Sequence, residues 1–318
     1  MDWIKADIYT NGEGIEPLTG RLMNIGVTGF EIVDSADFDE FLERKDGNWD
    51  YYDDSLDELK NAETTVSFYV PENAQGAEIL KAALGQLSEM KELDEDFGRL
   101  VLVTDRHLKE SDWENNWKQY FKPFTVGERL AVKPSWEEFS DPGRVILEID
   151  PGSSFGTGQH NTTRLCLEFL DGLVKGGERV LDLGCGSGIL GIAALLLGAE
   201  SVTAVDIDEN STRIAGENFE KNALPPRSYT IHTGNILSDS GLAGRLGTGY
   251  DIITANIVAD VLIGMAPMFR SFLKKGGTLI VSGIIDTRAD DVRSALLDRG
   301  FTVKEERASE NWLAISLE

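Results

Sequence analysis

Three glycines spaced by single residues, Gly184, Gly186 and Gly188, follow an apolar run, Val180 to Leu183, and lead into another, Ile189 to Leu197. A strand that breaks into such a bend and then a helix lets a ligand approach bare backbone amides at the helix start. The spacing alone serves many nucleotide sites and some plain tight turns. Two carboxylates narrow it. Asp206 closes the next apolar run and lies 22 residues beyond Gly184, where an acid accepts hydrogen bonds from a pair of ribose hydroxyls. Asp182 stands two residues ahead of the first glycine, and a bend that must admit a pyrophosphate rarely has an acid there. A dinucleotide site is therefore the poorer fit.

Asp182-Leu-Gly-Cys-Gly-Ser-Gly188 resembles the first motif of S-adenosylmethionine methyltransferases, whose ligand is cationic and carries no phosphate. Three further segments should gather around this bend, because each follows an expected strand and open α/β sheets bind ligands at the carboxyl ends of their strands. Residues 150–163 contain Gly152, Gly156 and Gly158 together with Phe155, His160 and Thr163. They read as a lid over the cofactor, with Thr163 donating to its carboxylate; the alternative is that Asn161 to Thr163 merely cap the next helix. His160 is either a proton acceptor or a structural or solvent-exposed histidine.

Asn256, at the end of the run Thr254-Ala-Asn256, could hold a turn through its amide, or its carbonyl could accept from the substrate nitrogen. Methyl transfer from a sulfonium is an in-line displacement that needs an amine with a free lone pair. A lysine, with an ordinary pKa of about 10.4, must first lose its proton. A neutral acceptor and a desolvated site beside a cation favour the uncharged amine and orient its lone pair. Asn256 cannot itself act as a base. In the last segment, Asn235 could accept from the adenine amino group while Ile207 and Ile236 flank the ring; a simple turn is the alternative.

The elements that must position these groups follow from periodicity. Strand and helix patterns alternate from Val145–Ile149 onward, with strands at Arg179–Leu183, Ser201–Val205, Tyr229–His232, Asp251–Ala255 and Thr278–Ser282. This predicts a mostly parallel sheet covered on both faces. Phe301–Glu305 and Trp312–Ser316 should close it as an antiparallel hairpin at one edge. Upstream, strand, helix, strand, strand, helix, strand over residues 3–104 predict a ferredoxin-like α+β domain. The expected division is a recognition domain over 1–106 with an acidic insertion at 35–61, a connector at 107–136, and a catalytic domain at 137–318. The connector puts Trp113, Trp117 and Phe121 on one helical face, which reads as packing rather than as a ligand platform.

Composition bounds the function class. With 41% hydrophobic residues in 318, the chain has apolar material for two cores. Its formal charge is −25, and residues 1–110 alone hold 26 acids against 10 bases. That charge is either a plain solvated surface or a means of steering toward a basic partner, and it disfavours unaided binding to a nucleic-acid backbone. Two cysteines and three scattered histidines offer no metal site. No apolar run spans a bilayer, and the start, Met1 to Lys5, has no basic-then-apolar signal pattern. A cytoplasmic monomer is expected.

The lid Asp150-Pro-Gly…Phe155-Gly-Thr-Gly-Gln-His-Asn-Thr-Thr163, the glycine bend, Val205-Asp-Ile-Asp208, Ala255-Asn-Ile257 and the connector Asp112-Trp…Trp117 together resemble the ribosomal protein L-eleven methyltransferase family. The resemblance implies a class I (Rossmann-like) fold and transfer of methyl groups from S-adenosylmethionine to lysine ε-amines and the N-terminal α-amine of that basic ribosomal protein. It implies that Thr163, Gly184, Asp206 and Asn256 bind the cofactor, that Asn256 also orients the amine, and that the N-terminal domain recognises the substrate. Asn161 stands where the family commonly has proline, and the acidic insertion lengthens the recognition domain. Rival readings are a class I methyltransferase acting on RNA or a small molecule, and a translation-associated binding protein without turnover.

Overall fold

The computed structural model describes residues 3–27, 29–34, 63–93, 95–104, 121–150 and 158–318. The acidic insertion 35–61, the connector positions Trp113 and Trp117, and Phe155 with the rest of 151–157 lie outside the described residues. The chain divides into two compact units, Met1–Tyr120 and Phe121–Glu318.

In the first unit, β1 (Trp3–Tyr9) buries Ile4, Ala6 and Ile8 and turns Lys5 and Asp7 the other way, as strand alternation requires. Helix α1 (Gly12–Asn24) starts where the Asn11 side chain accepts from the Gly14 amide at 2.9 Å. β2 (Glu31–Val33), β3 (Thr65–Pro71), α2 (Ala74–Lys91) and β4 (Val101–Thr104) complete the order. The strands lie β2-β3-β1-β4 with every neighbouring pair antiparallel. This is the ferredoxin-like arrangement that the element order predicts.

The second unit opens with a small sheet of β5 (Phe124–Val126), β6 (Leu130–Lys133) and β7 (Val145–Glu148), in which β6 and β7 are parallel. This corrects the sequence expectation for 145–149. Alternation of strand and helix identifies a strand but not the sheet that accepts it, and here the partner is Leu130–Lys133, inside the stretch read as connector. The register ends on Lys133 and Glu148, whose charged groups pair at 2.7 Å.

The large sheet follows: α3 (Asn161–Leu173), β8 (Arg179–Leu183), α4 (Ile189–Leu196), β9 (Ser201–Asp206), α5 (Glu209–Lys221), β10 (Tyr229–Thr233), α6 (Ser240–Leu246), β11 (Tyr250–Asn256), α7 (Ala259–Phe272), β12 (Leu273–Ile285), α8 (Ala289–Leu297), β13 (Val303–Ser309) and β14 (Trp312–Leu317). Its strand order is β10-β9-β8-β11-β12-β14-β13. The first five are parallel, and β14 runs antiparallel to both neighbours. One core cluster joins Leu165, Phe169, Ile192 and Phe219; another joins Leu262, Phe269, Val292 and Leu296. The winding reverses between β8 and β11. That switch point is where open α/β sheets bind ligands. Among the described residues no helix is long and apolar enough to cross a membrane.

Candidate functional site

The glycine bend occupies the carboxyl end of β8, at the switch point. Gly184, Gly186 and Gly188 all have positive φ, at 71°, 52° and 82°. A Cβ on Gly184 would lie 2.2 Å from Ile257 Cγ2, and one on Gly188 2.9 Å from Phe219 Cε2. Backbone conformation and close packing both require glycine there. The Gly184 and Cys185 amides donate to the Val205 carbonyl at 2.8 and 2.9 Å, which ties the bend to β9.

Asp206 ends β9 beside this bend. Its Oδ2 accepts from the Gly186 amide at 2.8 Å and its Oδ1 from the Asp208 amide at 3.0 Å. Burial pushes its carboxyl above the usual range, opposed by these backbone donors. Each carboxylate oxygen keeps a lone pair beyond these bonds, so the group can still accept from a ligand hydroxyl.

Asp182 sits deeper than a contact residue. It is fully buried, Oδ1 accepts from the Thr254 hydroxyl at 2.7 Å, and Oδ2 from the Gly191 amide at 3.2 Å. Burial pushes its carboxyl up to about 6. It braces β11 and the first turn of α4 behind the bend. Both oxygens face protein donors.

Across the switch point, Asn256 ends β11. Its Nδ2 donates to the Thr163 hydroxyl at 3.3 Å, so the start of α3 and the end of β11 converge. Its Oδ1 is buried and, among the described residues, has no hydrogen-bond partner. A buried acceptor left open costs about 1–3 kcal/mol unless something fills it. The geometry thus leaves an acceptor waiting at the carboxyl end of the central strands.

The other candidates separate. Asn235 Oδ1 accepts from the Leu237 amide at 2.9 Å, the turn alternative read from the sequence. Ile236 belongs to the core beneath α7, whereas Ile207 is 66% exposed and Leu237 46%. Leu237, not Ile236, is the accessible apolar neighbour after β10. His160 caps α3: its Nδ1 accepts from the Thr162 amide at 3.4 Å and lies 2.8 Å from the Thr162 hydroxyl. Burial pulls it down to about 4, so it is neutral at pH 7 and structural. Phe155 lies outside the described residues.

Periodicity does not reveal three buried polar groups. Thr254 holds Asp182, Asn218 Nδ2 donates to the Ser187 carbonyl of the bend at 2.9 Å, and the Ser282 hydroxyl lies 3.3 Å from the Thr162 carbonyl. The signal that could find them is a polar residue inside an apolar strand or helix face. Cys185 and Cys166 are free and buried, with thiols pushed above their usual value, so neither is a ready nucleophile. Among the described residues no cluster of acids, histidines or cysteines is placed to hold a metal ion.

The family model for ribosomal protein L11 methyltransferase (PrmA) matches residues 2–318. The chain belongs to the ribosomal protein L11 methyltransferase family. Curated members named ribosomal protein L11 methyltransferase from Thermoanaerobacter pseudethanolicus and Desulforamulus reducens are 38% and 35% identical, each over 99% of this chain and 98% of the relative. The crystal structure of a ribosomal protein L11 methylase from Lactobacillus delbrueckii subsp. bulgaricus superposes with a TM-score of 0.56 at 30% identity, covering 63% of this chain and 98% of that one. The large sheet accordingly has the class I methyltransferase fold, and the family's methyl donor is S-adenosylmethionine. The residues present suit that donor: a bend with no room for side chains, a carboxylate with spare lone pairs, and an unfilled buried carbonyl.

Proposed function

We propose that this protein methylates lysine ε-amines and the N-terminal α-amine of ribosomal protein L11, with Asn256 orienting the amine. The unpartnered, buried Oδ1 of Asn256 carries this reading. Bound S-adenosylmethionine supplies an electrophilic methyl group on a sulfonium. Gly184 and Gly186 would lie against the donor, Asp206 would accept from its ribose hydroxyls, and Thr163 would donate toward its carboxylate. Ile207 and Leu237 offer apolar surface for the base. Asn256 Oδ1 accepts an N–H from the uncharged amine. This fixes the nitrogen and favours the form whose lone pair can attack.

The proton leaves to solvent. His160 is a poor acceptor, since burial lowers its pKa to about 4 and its Nδ1 is engaged by Thr162. Asp182 serves the scaffold rather than the ligand, because it is fully buried behind the bend, where Thr254 and Gly191 hold its two oxygens. The excess of acids over bases in residues 1–110 supports a basic protein substrate and disfavours RNA, and it speeds encounter between opposite charges.

The test incubates the enzyme with labelled S-adenosylmethionine and either free L11 or ribosomal RNA, and mass spectrometry locates the label. Label on L11 amines that falls at least about 100-fold in kcat with Asn256→Ala supports the reading. Label on RNA alone, or an Asn256→Ala variant with wild-type kcat, refutes it.

A further inference from the structure

We propose that Glu310, at the tip of the β13–β14 hairpin, is a positioning residue for the methyl-donor site, acting through Asn161 on the first turn of α3. The proposal rests on the reading of Thr163 and Asn256 as donor-contacting residues. Four consecutive residues at the start of α3 are each gripped from outside the helix. The His160 ring meets Trp312 edge-on, with centroids 4.9 Å apart. Asn161 Nδ2 donates to Glu310 Oε2 at 3.0 Å. The Thr162 carbonyl lies 3.3 Å from the Ser282 hydroxyl, and the Thr163 hydroxyl accepts from Asn256. Three of these grips come from β12, β14 and the turn between β13 and β14.

The hairpin also lies along the same helix farther on, where Arg307 stacks over Phe169 at 4.2 Å and approaches Glu168 at 3.7 Å. Glu310 is therefore the distal end of a brace whose near end is anchored mid-helix. Its carboxylate also sits by the positive end of the α3 dipole, which reinforces the tether.

The backbone at Glu310 sharpens the case. Its φ is +53°, a conformation that glycine adopts freely and glutamate does not. The chain carries a glutamate where glycine would suit the turn better, and that glutamate's carboxylate reaches the buried residue Asn161, two positions before Thr163. Asn161 occupies the first helical position, after His160 at φ −67° and ψ 140°. Proline fits that position without strain, since its fixed φ is helical and the residue before it must be extended. A proline there would fix by covalent geometry what the Glu310 tether fixes by a hydrogen bond.

The test measures S-adenosylhomocysteine affinity by calorimetry alongside thermal unfolding of the full chain. Glu310→Gly removes the carboxylate and relieves the left-handed backbone, so Tm should hold or rise while affinity falls about five-fold. Glu310→Gln keeps an acceptor and should bind within about two-fold of wild type. Asn161→Ala cuts the same bond from the helix side and should lose about as much affinity as Glu310→Gly. Adding Asn161→Pro to Glu310→Gly should restore binding. Unchanged affinity in Glu310→Gly, or failure of proline to restore it, overturns the positioning role. Thr163→Val is the separate control. If Thr163→Val also binds like wild type, the donor-site reading itself fails; if it weakens binding while Glu310→Gly does not, only the positioning role is lost.

Discussion

Replacing Asp182 by asparagine should erase a loss of stability that the wild-type chain suffers as pH rises from about 4 to about 6. The carboxyl is fully buried, and burial raises it from 3.8 to about 6, against the opposing bonds from Thr254 and Gly191. The sign follows from proton counting. Between those two values the native protein keeps a proton that the unfolded chain has released, so unfolding free energy falls as pH rises, by about 1.4 kcal/mol per pH unit. Across the whole interval the loss is about 3 kcal/mol, complete above about pH 6 to 7. Measurements near the isoelectric point of about 4.5 invite precipitation, so the useful window is about pH 5 to 8. Within it the remaining loss is about 1.4 kcal/mol. The side-chain amide in Asp182→Asn would keep one acceptor and present an NH2 to a second donor, a cost that does not vary with pH. Urea unfolding of both proteins at several pH values gives the wild-type minus variant difference, in which titrating groups that do not interact with Asp182 cancel. That difference should fall by about 1.4 kcal/mol across the window. A difference that stays flat, or rises, would refute the assignment of Asp182 as a buried group whose charge is tolerated for the sake of its two bonds.

Gly184→Ala should destabilise the fold by about 2–3 kcal/mol and abolish detectable S-adenosylhomocysteine binding, since its Cβ meets Ile257 Cγ2 at 2.2 Å on a backbone with φ +71°; calorimetry and thermal unfolding check both. Asp206→Ala should weaken S-adenosylhomocysteine about 10- to 100-fold, because it removes a charged acceptor from both the Gly186 amide and the ribose; unchanged affinity contradicts the ribose assignment. With L11 as substrate, kcat/KM should fall about ten-fold between low and high salt while donor affinity stays constant, as expected if the acidic N-terminal unit steers a basic protein.

Much of this architecture is legible in the sequence because it depends on local periodicity. The strands on either side of the glycine bend are short, apolar and bounded by turn residues, and α5 carries an apolar face while α4, apolar throughout, is buried nearly all round. What periodicity cannot supply is pairing. Val145–Glu148 has the same strand signature as Arg179–Leu183, yet its hydrogen bonds go to Leu130–Lys133. The seven-residue helix Ser240–Leu246 escapes a periodicity reading because Gly241 and Gly244 interrupt any apolar stripe, while Asp239 caps it through the Gly241 and Leu242 amides. Ile236, expected at the ring, turns into the core for a related reason: after a strand ends, alternation no longer says which side chain turns inward.

The site follows the same division between what is local and what is not. Asp182 reads in the sequence as part of a ligand bend because it is near the glycines along the chain. In space its partner is Thr254, 72 residues away. On β11, Thr254 and Asn256 are two apart and share a strand face, while Ile253 and Ala255 enter the core beneath α7. One face of one strand therefore carries both a brace for the bend and the open carbonyl at the switch point. Because Asp182 holds Thr254 and Asn256 holds Thr163, the bend, the strand and the start of α3 are joined through side chains rather than backbone pairing. Cutting the inner bond with Thr254→Val should therefore shift Asn256 less than cutting the outer one with Thr163→Val, since β8 and β12 still pair with β11 on both sides. Donor affinity should follow that order, and the reverse order would mean that the carbonyl is positioned from the core outward and not from α3 inward.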